Sequence, residues 1–424
     1  MPQFDYRDGH YAVEDVAVRD IAATCKTPFY CYSRAAIERA YAAYADAFAD
    51  YDMQVCYALK ANSNLSIVGL LAAAGAGADV VSGGELQRAQ AAGIPGSRIV
   101  YSGVAKTVPE IELALDAGIR QFNVESMPEL HAINETAMRR QQRAPVAFRI
   151  NPDVDAETHE KISTGKSENK FGIPWHSASD AYAHAASLPG IEICGIDMHI
   201  GSQIQSLTPF RNAFARIAEL TQQLRDQGHA IDTIDLGGGL GVNYGGDGKT
   251  PPTPAEYAQL VTEAFADLDC RLIIEPGRSL VGAAGMLVST VIYVKETATL
   301  DFLIIDAAMN DFMRPSIYNA YHAIRTERQG HGAQRPYEIV GPVCETGDMF
   351  ARGRLLHELQ AGDMVVLEDA GAYGAVMAST YNTRPLVPEV LVEGNSFRII
   401  RKRVSEAALL ALDEPWPATA TEQA

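Results

Sequence analysis

From residue 54 to residue 276 the chain alternates between two rhythms. Short runs rich in β-branched and aromatic residues read as buried strands over 54–61, 77–82, 99–103, 121–125, 146–151, 193–201, 233–237 and 271–276. Between them, helical stretches are expected over 65–75, 83–92, 107–117, 126–140, 177–187, 208–228 and 254–268. Ser33 is a good N-cap for an earlier helix running to Tyr51, in which Ile37, Tyr41, Tyr44 and Phe48 fall at helical spacing. Eight strands alternating with helices over about 240 residues is the count and size of a (β/α)8 barrel. An open doubly wound sheet is the structural competitor.

Beyond residue 285 the rhythm changes. Runs at 286–296, 301–307, 337–343, 363–369 and 396–402 are β-rich, with one helix expected at 313–323. This predicts a second, mostly antiparallel β domain, which the strand-like 28–32 and the rest of the first 30 residues join. The expected division is therefore a barrel over 33–285 and a β domain made of 1–32 and 286–424. Residues 247–254 read as a mobile loop, and the last 15 or so as frayed.

Composition narrows the function classes. A hydrophobic share of 47% and a charged share of 21% are ordinary for a globular protein of 424 residues. A net charge of −18, with 398–403 the one locally basic run, argues against nucleic acid as a partner. Cys25, Cys31, Cys56, Cys194, Cys270 and Cys344 show neither CxxC spacing nor a paired framework, so they read as reduced thiols and no metal is expected. With no secretion signal in residues 1–10 and no apolar run of membrane-spanning length, the expected location is the cytoplasm.

The unusual residues fall at predicted strand ends. Lys60 ends the first strand, where an amine is a candidate Schiff-base nucleophile if partial burial lowers its pKa; a strand-end lysine reaching solvent is the plainer alternative. His199 lies near the end of the sixth strand and is either a ring that stacks on an aromatic cofactor or a satisfied core histidine. Gly237-Gly-Gly-Leu-Gly241 ends the seventh and lets backbone amides approach an anion, though a ligand-free tight turn fits as well. Glu275-Pro-Gly-Arg278 ends the eighth, offering a carboxylate for a pyridinium nitrogen and a guanidinium for phosphate, or else a structural ion pair. In a barrel these ends share one rim. In the β domain, Cys344-Glu345 offers a thiol as proton donor beside a carboxylate for an ammonium group, or else is a buried thiol beside a surface acid, and Tyr373 offers a hydroxyl to phosphate or to a turn.

Together these stretches resemble the pyridoxal-phosphate-dependent basic amino acid decarboxylases of the alanine-racemase-like barrel fold, and within them the branch acting on diaminopimelate. The motifs are Tyr57-Ala-Leu-Lys-Ala-Asn62, Asn169-Lys-Phe-Gly172, His199-Ile-Gly-Ser-Gln203, Gly237-Gly-Gly239, Glu275-Pro-Gly-Arg278, Met309-Asn-Asp-Phe-Met-Arg-Pro315, Cys344-Glu-Thr-Gly-Asp348 and Ala372-Tyr-Gly374. They span nearly the whole chain in the family's order.

The resemblance implies pyridoxal 5'-phosphate as cofactor, attached to Lys60, with His199 stacked on its ring and Glu275 at its nitrogen. Ser202, Gly239, Gly277, Arg278 and Tyr373 are then implied around the phosphate. Arg278, Arg314, Tyr318, Glu345 and Tyr373 are implied at the substrate, and Asp79 near the lysine. Cys344 is the implied proton donor, reaching the site from the second subunit of a homodimer. The implied substrate is meso-diaminopimelate, whose distal ammonium and carboxylate call for an anion and a cation such as Glu345 and Arg314. A decarboxylase of ornithine, arginine, lysine or carboxynorspermidine on the same scaffold is the rival enzyme. A regulatory binding protein derived from such an enzyme is the rival of another class, although Lys60 and Cys344 are both in place.

Overall fold

The computed structural model describes residues 3–156, 158, 164, 170–246, 248–414 and 416. Eight parallel strands form its first half: β1 (Met53–Ala58), β2 (Gly77–Val80), β3 (Ile99–Tyr101), β4 (Gln121–Val124), β5 (Ala144–Asn151), β6 (Ile191–Asp197), β7 (Thr233–Asp235) and β8 (Arg271–Ile274). Each pairs with its neighbours, and β8 pairs with β1, which closes the barrel and excludes the open sheet. Closure leaves no edge strand to protect.

The helices form where local chemistry starts and stops them. Ser33 Oγ accepts from the backbone of Ala36 at 3.0 Å and begins the helix Arg34–Ala47, a cap worth about 1 kcal/mol. Reciprocal capping boxes, Thr107 with Glu110 and Thr253 with Glu256, start Val108–Ala117 and Pro254–Phe265. Gly75 ends Leu65–Ala74 in the left-handed region, at φ 105°. The inward faces of these helices pack Ile67, Leu71, Ile111, Ile133, Phe214 and Val261 against the barrel wall.

The second half is a nine-stranded sheet centred on the long strand Gly285–Glu296. Most of its pairings are antiparallel; Asp301–Ile305 with Gln334–Val340 and Glu389–Glu393 with Phe29–Ser33 are parallel. Phe29–Ser33 lies in the middle of this sheet between Gly285–Glu296 and Glu389–Glu393, whereas Phe4–Arg7, His10–Val13 and Val16–Ala17 form a separate three-stranded sheet. The expected helix over 313–323 is shorter, Arg314–Tyr318, because Asn319 turns into the left-handed region at φ 50°.

Asn169 lies outside the described residues, as do Asp247 of the expected mobile loop and most of the expected frayed tail. Among the described residues no helix is long and apolar enough to cross a membrane.

Candidate active site

The strands deliver their following residues to one mouth. Lys60 follows β1, Ser102 follows β3, His199 follows β6, Gly239 follows β7, and Glu275, Gly277 and Arg278 follow β8; all of them line one cavity of about 1040 Å³. Ser202, Arg314, Tyr318 and Tyr373 line it too, so both halves of the molecule contribute. Cys344 and Glu345 are not among its lining residues. Cys344 is exposed, with its backbone N donating to Asn382 Oδ1 at 3.2 Å.

Lys60 does not sit on the strand as expected. β1 stops at Ala58, and Lys60 occupies a single 3-10 turn, Leu59–Ala61. Its Nζ donates to Asp79 Oδ2 at 2.8 Å. The expectation that burial frees the amine fails for this reason. Burial opposes the ammonium, but the carboxylates of Asp79 and Glu275 outweigh it and push the lysine up.

His199 is neutral. Its Nδ1 accepts from the backbone N of Gly238 at 3.1 Å, which leaves the proton on Nε2. Burial, Arg149 and Lys60 all push it well below the usual histidine range.

Glu275 belongs to a buried carboxylate cluster: oxygens of Asp197, Asp235 and Glu275 all lie within 4.8 Å of one another. Asn123 Nδ2 is shared among Asp235 Oδ2 at 3.1 Å, Ser102 Oγ at 3.1 Å and Glu275 Oε1 at 3.3 Å. Burial and then the charge of a neighbouring carboxylate hold all three acids well above their ordinary values.

Opposite this acidic floor is a cationic wall. Arg278 and Arg314 are only 5% and 6% exposed, yet neither has a carboxylate partner among the described residues. Arg278 donates from Nη1 to Tyr244 Oη at 2.7 Å and from Nη2 to Ser202 Oγ at 3.0 Å, and its Nε is buried without a partner among the described residues. Its guanidinium lies 4.7 Å from the centre of the Tyr373 ring. The backbone beside it is too tight for side chains. A Cβ on Gly239, where φ is +118°, would lie 2.5 Å from the carbonyl oxygen of Gly201, and one on Gly238 would lie 2.3 Å from that of Glu275.

A buried, underpaired guanidinium beside bare backbone calls for a compact anion, and a carboxylate floor beside an amine calls for a basic ring. The site therefore fits pyridoxal phosphate. Sequence reasoning missed Tyr244, which sits in a glycine-rich loop, and Asn123 and Arg149, polar residues on fully buried stretches of barrel strand. A polar side chain inside a buried strand was the available signal.

Residues 34–282 match the model of the pyridoxal-binding domain of pyridoxal-dependent decarboxylases. The chain is 48% identical over 413 residues to the diaminopimelate decarboxylase of Zymomonas mobilis, covering 97% of this chain and 98% of that one. Against that of Pseudomonas aeruginosa it is 47% identical over 417 residues, covering 98% and 100%. The crystal structure of Helicobacter pylori diaminopimelate decarboxylase complexed with L-lysine superposes with a TM-score of 0.90 at 43% identity, covering 93% of this chain and 98% of that one. Likeness over almost the full length, in a fold whose strand ends assemble an amine, a carboxylate floor and an anion cradle, places this chain in the diaminopimelate decarboxylase family of pyridoxal-dependent enzymes.

Proposed function

We propose that this protein converts meso-2,6-diaminopimelate to L-lysine and carbon dioxide, the last step of bacterial lysine synthesis. The observation that carries this reading is the pair of buried guanidiniums, Arg278 and Arg314, that reach the cavity with no carboxylate partner among the described residues. One suits the cofactor phosphate, and the other suits a carboxylate on the substrate.

Ser202, Gly239, Gly277, Arg278 and Tyr373 would hold the phosphate. Lys60 would carry the cofactor, His199 would lie against its ring, and Glu275 would hold its ring nitrogen protonated. When bound, pyridoxal phosphate supplies an aldehyde carbon for amines and a ring that withdraws electrons from the bond to the departing carboxylate. Asp79 holds the proton on the Lys60 amine, and Asn123 and Ser102 orient the carboxylate of Glu275. Arg314 and Tyr318 bind the substrate end that does not react.

Cys344 donates the proton that replaces carbon dioxide, with Glu345 beside it for the distal ammonium. Because neither lines the cavity of its own chain, we assign both to the site of a partner copy in a homodimer. The barrel unit is taken as 33–285 and the β unit as 1–32 with 286–424, and the location as the cytoplasm.

The test is carbon dioxide release by cofactor-loaded protein from meso-diaminopimelate, L-lysine, L-ornithine, L-arginine and carboxynorspermidine. Strong preference for diaminopimelate supports the assignment. Preference for an amine without the distal carboxylate sinks it.

A further inference from the structure

Among the described residues, the Arg314 side chain makes one hydrogen bond: Nε donates to Nε2 of His322 at 3.3 Å. His322 is 1% exposed, and its other ring nitrogen, Nδ1, lies 2.9 Å from the backbone oxygen of Glu368. A carbonyl oxygen only accepts, so Nδ1 carries the proton and Nε2 offers the lone pair that Arg314 meets. Burial and the adjacent Arg314 charge hold this imidazole down to about 3, which keeps the lone pair available at any working pH.

The ring itself is clamped. Phe312 and Tyr244 meet it edge-on, with centroids 4.6 Å and 5.0 Å away, and its own carbonyl accepts from Arg354 Nη1 at 3.0 Å. A guanidinium is planar, so an acceptor fixed at Nε sets the plane in which the remaining nitrogens point.

We propose that His322 is a positioning residue, which by accepting the Nε proton of Arg314 aims that guanidinium at the substrate carboxylate that survives decarboxylation. This rests on the function proposed above. The surviving carboxylate is present in diaminopimelate and in the product L-lysine, and absent from cadaverine. His322 therefore affects recognition of the first two and not the third, and acts on binding more than on the chemical step.

The test uses cofactor-loaded His322→Asn, which keeps a donor towards Glu368 but has no acceptor where Nε2 stood. His322→Gln returns an oxygen near that position. The Asn variant is expected to raise the KM for diaminopimelate and the inhibition constant of L-lysine on the order of tenfold, the loss of one charge-assisted hydrogen bond. kcat and cadaverine inhibition stay within about twofold, and the Gln variant recovers most of the loss. His322→Phe keeps the packing, removes both ring nitrogens and carries the same expectation, so a folding failure in one variant leaves the other to decide.

Unchanged KM, equal weakening of L-lysine and cadaverine, a fall in kcat at constant KM, or failure of Gln to rescue overturns the proposal. A wild-type enzyme that ignores diaminopimelate removes the substrate premise itself. That failure is told apart because it occurs in the unaltered protein.

Discussion

The Nζ of Lys60 lies 2.8 Å from Oδ2 of Asp79, a carboxylate with no exposed surface. Attachment of an aldehyde needs the neutral amine, and this contact favours the ammonium. Asp79→Asn is therefore expected to lower the midpoint pH of cofactor attachment by roughly one unit or more, measured as the pH dependence of the bound cofactor's absorbance. A raised lysine contributes its stability below the ordinary value near ~10.4 and loses it only as pH rises through the folded value. The variant's loss in Tm should accordingly be flat between about pH 6 and 9.

Tyr244 was absent from the residues expected at the site, yet its hydroxyl accepts from Arg278 at 2.7 Å and its ring lies 5.3 Å from the guanidinium of Arg314. Tyr244→Phe keeps the ring and removes the acceptor. The expected result is a three- to tenfold or so weaker Kd for pyridoxal phosphate by fluorescence titration, with kcat at saturating cofactor little changed. A Kd equal to wild type would remove the hydroxyl from the construction of the phosphate cradle.

The carboxylate floor gives a signed pH prediction. Burial, then the charge of Glu275, hold Asp197 above its ordinary value, and its Oδ1 has no hydrogen-bond partner among the described residues. A raised carboxyl is stabilising below the unfolded value near ~3.9, and that contribution is lost as pH rises towards the folded value. Asp197→Asn lacks this slope. In cofactor-free protein the variant's Tm should exceed wild type at pH 8 by an amount equivalent to about 1 kcal/mol, and the gap should shrink as pH falls to 5. A constant gap would mean that Asp197 does not change its protonation on folding in this range.

The shared-site reading predicts complementation. Lys60→Ala and Cys344→Ala homodimers should each be inactive. Mixed after reversible dissociation, they should recover up to about a quarter of wild-type activity, since half the dimers then carry one intact site of two. No recovery in verified heterodimers would return Cys344 to its own chain's site or remove it from the chemistry.

The barrel was legible because its strands are buried and read as short β-rich runs alternating with helical stretches. Leu65–Ala74 and Pro254–Phe265 lie within three residues of the spans read from helical spacing, because their caps are written locally in Asn64, Gly75 and Thr253. The strand Met349–His357 was missed: Arg352, Gly353 and Arg354 interrupt its apolar pattern, and Gly353 takes a φ of +56°. Glu389–Glu393 was missed as well. In the site, residues that act through their own motifs were visible, whereas Tyr244 and His322 acquire meaning only from the arginines they touch. Those contacts span 34 and 8 positions and depend on the fold rather than on local pattern.

The strand Phe29–Ser33 is made before the barrel, but its two sheet neighbours, Gly285–Glu296 and Glu389–Glu393, are made roughly 250 and 350 residues later. The barrel strands between them can pair as they emerge. The β region cannot close until Glu389–Glu393 is made, so a nascent protein stalled after residue 285 would hold a barrel with Phe29–Ser33 unpaired on both sides. That apolar segment, Phe-Tyr-Cys-Tyr, is fully buried in the folded molecule, which makes the interval before both neighbours are made the one of greatest exposure to aggregation.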